Sequence, residues 1–447
     1  MITASVAERY SKQVEDTQMR NITRRRFLSC AAGLTAASWT LENSQVLRAI
    51  PASESLLGKV RIRDVETASI QLNYPAHLVK ITTSAGPFGI GEAFIGPGVV
   101  DCIRHLKSFV IGEDPLQVDF LWTKMTEAVG GYGALTGTMI SSIAGIESAL
   151  WDLAGKILQV PIYVLLGGKF RDKLLVYHDT GSPNTVDPKA WVEEALRSRE
   201  YGFRAMKFDL DWETTSQGIQ GKVPYRYRRE TWNRTLTSTE ISQWVKILEE
   251  IRSALGPGID VAVDLHWILS TRDGLRLAQA LEPLKLWFLE DPTPPENAEA
   301  MARITAGTKT PICTGENLYT RQGFRPYIEK QACDIIQPDP QKCGGLLETK
   351  KIADFADLYY ITMACHNMCT PVGTYGSAQA CAAIRSFAAL ESDSIEIPWW
   401  KDLIVNDGGK AYKDGYLTLP TSPGIGVELN EEVCRQHLVA GTQWFRS

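Results

Sequence analysis

A chain of 447 residues, 44% of them hydrophobic, can bury a sizeable core, either as two or three domains or as one large barrel with an accessory domain. Its 47 basic and 52 acidic residues leave a net charge of −5 with no basic block in the body of the chain, which argues against nucleic acid as a partner. Nine cysteines, an odd number without a spaced framework, argue against a disulfide scaffold.

The N-terminus carries TRRRFLS at 23–29 and then the small-residue stretch CAAGLTAASW, a pattern that matches a twin-arginine export signal. Residues 1–52 are therefore expected to be leader and linker, with Met19 as a candidate start and cleavage near Ala49 to Ala52. That route carries folded proteins, so a metal can be loaded first and thiols need not pair. The expected location is the periplasm, or the cytoplasm if the leader is silent. The apolar stretch is too short and too rich in Ala, Gly and Ser to span a membrane, so the mature form is expected to have no membrane partner.

Past the leader, KVRIRDVETASIQL and HLVKITTSAG alternate like antiparallel strands, and AGPFGIGEA reads as a glycine-rich turn into the next element. Helical spacing dominates from about 100 to 166. It includes Ser141 to Leu158, where Glu147 and Asp152 suit internal salt links or caps better than metal ligation. LLVYHD near Leu174 reads as the first strand of a second region and FRAMKF as its second. The polar, aromatic and basic stretch at 211–235 is longer than a β-to-α connection needs. It contains Arg226, Arg228 and Arg229, which suit an anionic substrate or a solvated loop equally well. With 74–77 and 130–138 it is a candidate for shaping a pocket.

Three acids then stand 26 positions apart in matching contexts: Asp264 in VAVDLHW, Glu290 in LWFLEDP and Glu316 in ICTGENL. One strand, helix and pair of turns takes roughly 25–30 residues, so this rhythm delivers carboxylates to the C-terminal ends of successive parallel strands. Three oxygen donors without HExxH or two cysteine pairs suit a hard cation such as Mg2+, which keeps positions open for water or substrate. Two further groups follow strands in the same way, Asp339 after DIIQP and His366 after LYYITMA. A carboxylate on one imidazole nitrogen fixes the tautomer and raises basicity at the other. His266, two residues beyond Asp264, shares its face if the strand continues, and Lys207 shares a face with Asp209, with which a simple ion pair is the alternative. Cys365 and Cys369 lack a second pair and are discounted as a zinc site.

The segments TTSAGPFGIGEA (82–93), IAGIESALWDLAGKILQVPIYVLLGGKFRDK (143–173), GFRAMKFD (202–209), VDLH (263–266), FLEDP (288–292), TGEN (314–317), DIIQPDPQKCGG (334–345) and MACHN (363–367) resemble the enolase superfamily, in its mandelate racemase and muconate lactonizing branch. The resemblance runs in family order from about residue 58 to the end. It implies an α+β capping domain at 57–172, a modified TIM barrel of (β/α)7β type at 173–391, and a segment at 392–447 returning to the cap. It also implies that Asp264, Glu290 and Glu316 hold Mg2+ and that His366 with Asp339 is the base dyad. Asp-x-His at 264–266 is similar to acid-sugar dehydratases, in which the second histidine protonates a departing hydroxyl. Family racemases often carry Lys-x-Lys where this chain has Lys207 and Asp209, which weakens a lysine-based racemase and leaves Lys207 an electrostatic role. Glu391 matches a glutamate that bonds the substrate carboxylate, with Glu396 as the fallback because the local pattern departs from the family's. The expected activity is Mg2+-dependent dehydration of a hexonate-like sugar acid to a 2-keto-3-deoxy acid in a homo-oligomer. The alternatives are a racemase or epimerase, a cycloisomerase, and an exported binding protein without turnover.

Overall fold

The computed structural model describes residues 58–131, 135–181, 183, 185–210, 235–405 and 412–446; the leader and Arg226, Arg228 and Arg229 lie outside them. Three strands open the described chain, β1 (Ile62–Gln71), β2 (Pro75–Thr83) and β3 (Phe88–Ala93), paired antiparallel in that order. Three helices follow, α1 (Val99–Val110), α2 (Val118–Gly130) and α3 (Gly137–Leu158). The turn expected in AGPFGIGEA is there at its start, with Gly86 at φ 102° between β2 and β3, but Gly89 and Gly91 have a different use. The stretch from Phe88 is a strand, and a Cβ on Gly91 would sit 2.5 Å from the Ala149 nitrogen of α3, so glycine is what lets sheet and helix backbones touch.

After the short helix α4 (Ile162–Leu165), strand β4 (Lys173–Asp179) begins a repeating strand and helix order. It runs α5 (Pro188–Glu200), β5 (Ala205–Asp209), α6 (Ser238–Leu255), β6 (Asp260–Asp264), α7 (Thr271–Leu281), β7 (Leu289–Glu290) and α8 (Ala298–Gly307). It continues β8 (Ile312–Thr314), α9 (Thr320–Glu329), β9 (Ile335–Ile336), α10 (Leu346–Asp357), β10 (Thr362–Cys365), α11 (Pro371–Ala382) and β11 (Phe387–Ser392). Strands β4 to β11 pair in sequence, all parallel, and β11 closes on β4, which makes the capped, modified TIM barrel. The C-terminal residues return to β1, where Gln71 N donates to His437 O and Val439 N to Ser69 O.

The barrel interior is one packed layer with a residue from or beside each strand: Tyr177, Ala205, Ala262, Phe288, Cys313, Ile335, Ala364 and Ala389. Side chains alternate along a strand, so the residue two places on from each points inward one level higher. Counting up by two reaches Asp179, Lys207, Asp264, Glu290, His366 and Glu391, which is why six chemically active side chains meet at one end.

Buried carboxylates tie the cap to this end. Glu92 on β3 accepts from Thr370 N and Gly373 N (both 2.9 Å) at the start of α11, just beyond His366. Glu147 on α3 accepts from Leu346 N (2.8 Å) and Leu347 N (3.0 Å), where α10 starts with unpaired N–H groups. Asp152 does not reach the mouth: it links to Lys156 (2.8 Å) and accepts from Ile90 N of β3 and Ile425 N of the C-terminal segment.

On the outer side of β4, His178 is buried, stacks on Phe203 (4.8 Å) and bonds Ser198 Oγ through Nδ1 (2.6 Å). Burial lowers its pKa from 6.5 to about 4. The unfolded chain thus takes a proton below pH 6.5 that the folded chain refuses until about 4. This stabilisation is complete above pH 6.5 and lost as the pH falls to about 4, a change of roughly 3 kcal/mol. Denaturant titrations at several pH values are expected to show that slope, and His178→Gln to flatten it.

Candidate active site

The cluster is densest around Lys207, whose side chain is 2% exposed. Its ammonium lies 2.6 Å from Glu391, 3.2 Å from Glu290, 3.3 Å from Asp264 and 3.8 Å from Asp179. Burial opposes its charge, yet Glu290, Glu391, Asp179 and Asp264 hold its pKa well above the usual lysine range. Asp209, two residues on, groups instead with Asp264 and His266, one ligand atom of each lying within 4.8 Å of the others.

The three evenly spaced acids are all at the mouth, but not equivalently. Asp264 and Glu290 end their strands and are Cα partners in the β6–β7 register. Glu316 lies two residues past β8, beyond Gly315, whose φ of 148° and contact with Gln337 leave no room for a Cβ. Glu290 is fully buried and neither of its carboxylate oxygens takes a hydrogen bond, Lys207 standing out of line. Burial and Asp264 push its pKa well above the carboxylate range. Glu316 is held well below that range, because Lys342 and His366 outweigh its burial. A bare buried carboxylate beside Asp264 and Glu391 is costly unless a cation joins it, and Asp264 and Glu290 oxygens both stand within 3.3 Å of Lys207 Nζ. Among the described residues, however, the donor atoms lying within 4.8 Å of one another are those of Asp209, Asp264 and His266, so of the expected metal ligands Asp264 alone belongs to that group.

His366 follows β10. Its Nδ1 bonds Asp339 Oδ2 at 2.6 Å and its Nε2 bonds Glu316 Oε2 at 2.8 Å, with Glu391 3.8 Å away. Burial works against the imidazolium, but Glu391, Glu316 and Asp339 together keep its pKa well above the usual histidine value. Asp339 is fully buried and its other oxygen accepts from Gln341 N (2.8 Å). His266 reaches the cluster by a different path from the one its spacing suggests. Strand β6 stops at Asp264, and His266 and Trp267 both take positive φ (41° and 57°), so strand alternation does not place it. The turn is held by His266 N on Asp264 Oδ1 (2.8 Å) and Trp267 N on Asp291 O (2.7 Å). It leaves His266 Nε2 3.6 Å from Asp264 Oδ2, with the Trp267 ring set edge-on at 5.5 Å. Strands β6 and β10 are four places apart in a barrel of eight, so the two histidines stand on opposite sides of the mouth.

Glu391 Oε1 is ion-paired with the Lys207 ammonium (2.6 Å) and its Oε2 accepts from Asn367 N (3.2 Å), whereas the fallback Glu396 is exposed and meets Asn73 of the cap (3.1 Å). Four residues of the site escaped the sequence reading. Asp179 was within reach, two places beyond Tyr177 on the inward face of β4. Asp291, beside Glu290, is buried; its Oδ1 accepts from Thr314 Oγ1 (2.5 Å), and burial, with Glu316 and Asp264, pushes its pKa up to about 8. Lys342 bonds Asn317 Oδ1 (2.7 Å) and lies 4.6 Å over the ring of Phe94, itself 6.0 Å from the His366 ring. Phe94 follows a cap strand, and no sequence pattern ties it to a barrel histidine. The eight cysteines of the described residues are free. Among the described residues, no helix is long and apolar enough to cross a membrane.

A closed eight-stranded barrel under an antiparallel cap, with acids and a His–Asp pair at its C-terminal mouth, defines an enolase-type enzyme. Residues 64–167 match the mandelate racemase/muconate lactonizing enzyme N-terminal domain and residues 190–433 the enolase C-terminal domain-like family. The chain belongs to the mandelate racemase/muconate lactonizing enzyme family of the enolase superfamily, and it is an enzyme, a lyase of the hydro-lyase type. Membership implies a divalent metal. The chain is 42% identical over 385 residues to D-xylonate dehydratase of Haloferax volcanii, covering 86% of this chain and 90% of that one. It is 32% identical over 377 residues to D-galactonate dehydratase of Ralstonia pickettii, covering 82% and 92%. A mandelate racemase/muconate lactonizing enzyme-like protein from Rubrobacter xylanophilus superposes with TM-score 0.80 at 37% identity, covering 86% of this chain and 99% of that one. The 3,6-anhydro-D-galactonate cycloisomerase of Zobellia galactanivorans superposes with TM-score 0.73 at 27% identity, covering 85% and 99%.

Proposed function

We propose that this enzyme dehydrates an aldonate sugar acid, removing the C2 proton and the C3 hydroxyl to give a 2-keto-3-deoxy acid. The observation that carries the reading is a pair of histidines that follow strands four places apart around the barrel, His266 beside Asp264 and His366 fixed by Asp339 at 2.6 Å. Asp264, Glu290 and Glu316 would hold Mg2+. When bound, that ion supplies the positive charge that makes a proton next to a carboxylate acidic enough to remove. His366 Nε2 takes the C2 proton once it is deprotonated and released from its 2.8 Å bond to Glu316, while Asp339 holds the ring in its tautomer. His266 gives a proton to the departing C3 hydroxyl, and the resulting enol tautomerises to the ketone. Glu391 and Lys207 bind and orient the carboxylate end. The names of the two dehydratase relatives support a pentonate or hexonate, with D-xylonate the first candidate.

A cycloisomerase acting on an anhydro sugar acid is the second reading, supported by the likeness to the Zobellia enzyme. Export by the twin-arginine route, on the strength of TRRRFLS at 23–29, and a homo-oligomeric state are further parts of this proposal. The test is to incubate the full chain with Mg2+ and a pool of aldonates in heavy water and to weigh the products. The expected product is lighter by one water and its formation stops on chelation. Solvent deuterium at C2 without water loss would transfer the assignment to epimerisation, and an unchanged mass with a new retention time to cycloisomerisation.

A further inference from the structure

We infer that Lys207 is a built-in competitor for the divalent cation, its ammonium sharing the oxygens of Asp264 and Glu290 and so setting how tightly the ion is held. This inference rests on the reading of Asp264, Glu290 and Glu316 as the metal ligands. The lysine backbone lies inside strand β5, in register with Asp179 on β4 and Ala262 on β6, and its side chain is 2% exposed, so the ammonium stays within the carboxylate cluster. Its four carboxylate partners fall into two groups. Asp264 and Glu290, at 3.3 and 3.2 Å, belong to the proposed metal set; Glu391 and Asp179, at 2.6 and 3.8 Å, do not.

A fixed positive charge at that range from two ligand oxygens acts in opposite directions on the protein and on the ion. It relieves the mutual repulsion of carboxylates that would otherwise oppose folding, and it repels a second cation approaching the same atoms. Glu391, as the nearest partner, draws the ammonium toward itself and away from the metal side.

The experiment is calorimetric titration of Mg2+ alone into the full chain, without substrate, for wild type, Lys207→Met, Lys207→Arg and Glu391→Gln. Lys207→Met is expected to bind Mg2+ roughly tenfold or more tightly. It should also melt lower in chelator and gain more from added Mg2+ than wild type does. Lys207→Arg keeps the charge and should stay near the wild-type affinity. Glu391→Gln frees the ammonium to lean on Asp264 and Glu290 and should weaken Mg2+ binding. An unchanged or weaker affinity in Lys207→Met overturns the inference. If that variant does not fold, an unchanged affinity in Glu391→Gln overturns it. Wild type that binds Mg2+ but responds to neither substitution sinks this inference alone, whereas wild type that binds no divalent ion sinks the metal reading beneath it.

Discussion

Replacing His366 by asparagine is expected to abolish both dehydration and exchange of the substrate's C2 proton, lowering kcat on the order of 10^4-fold. Asparagine fills similar space and its amide can still donate to Asp339 Oδ2, so the packing around this buried position is largely kept. It has no nitrogen that can accept and hold a proton. A loss of that size corresponds to about 5.5 kcal/mol of transition-state stabilisation, more than any single hydrogen bond in the cluster would supply. Asp339→Asn should cost less, because the imidazole survives and only its tautomer and orientation are released. Steady-state turnover with thermal melts as a folding control would check this. His366→Asn turning over within tenfold of wild type would remove His366 from the role of base.

Much of this site follows from one regularity, and its exceptions have identifiable causes. The inward layer of the barrel advances by two to Lys207, Asp264, Glu290, His366 and Glu391, so strand alternation combined with a regular repeat is enough to find them. Where the backbone leaves the strand, the rule stops working. Glu316 is displaced past Gly315, and His266 is carried by two residues of positive φ, a conformation that nothing in VDLHW announces. Asp339 likewise lies three residues beyond the two-residue strand β9 and is placed by its own turn onto Gln341 N. Contacts between distant segments are the other class of omission. Phe94 beside His366, Lys342 over the Phe94 ring, and Glu92 on the start of α11 depend on how the cap seats on the barrel, which no local periodicity encodes. The glycines at 89 and 91 show the same limit, since a glycine in a close-packed strand and a glycine in a turn look alike until the facing helix is in place.

His266→Asn is expected to separate the two halves of the reaction. Removal of the C2 proton belongs to His366 on β10, and His266 stands on β6's side of the mouth, four strands away. The variant should therefore keep C2 exchange in heavy water near the wild-type rate while water elimination falls by on the order of 10^2- to 10^3-fold. Its side chain is 30% exposed, so the substitution should not cost the fold what a change at a fully buried position would. The Asp264 contact to His266 N is a backbone bond and survives the change, which leaves the metal ligand oriented as before. Full dehydration by His266→Asn would end its assignment as the acid. An epimerase makes a different prediction for the same protein: with histidines acting from opposite sides, each supplies the proton for one enantiomeric face. His266→Asn would then block inversion at C2 from one substrate epimer and permit exchange only in the other, with no water lost in either case. Measuring exchange and water loss on both epimers of one aldonate therefore distinguishes an acid that expels a hydroxyl from a second base that inverts a carbon.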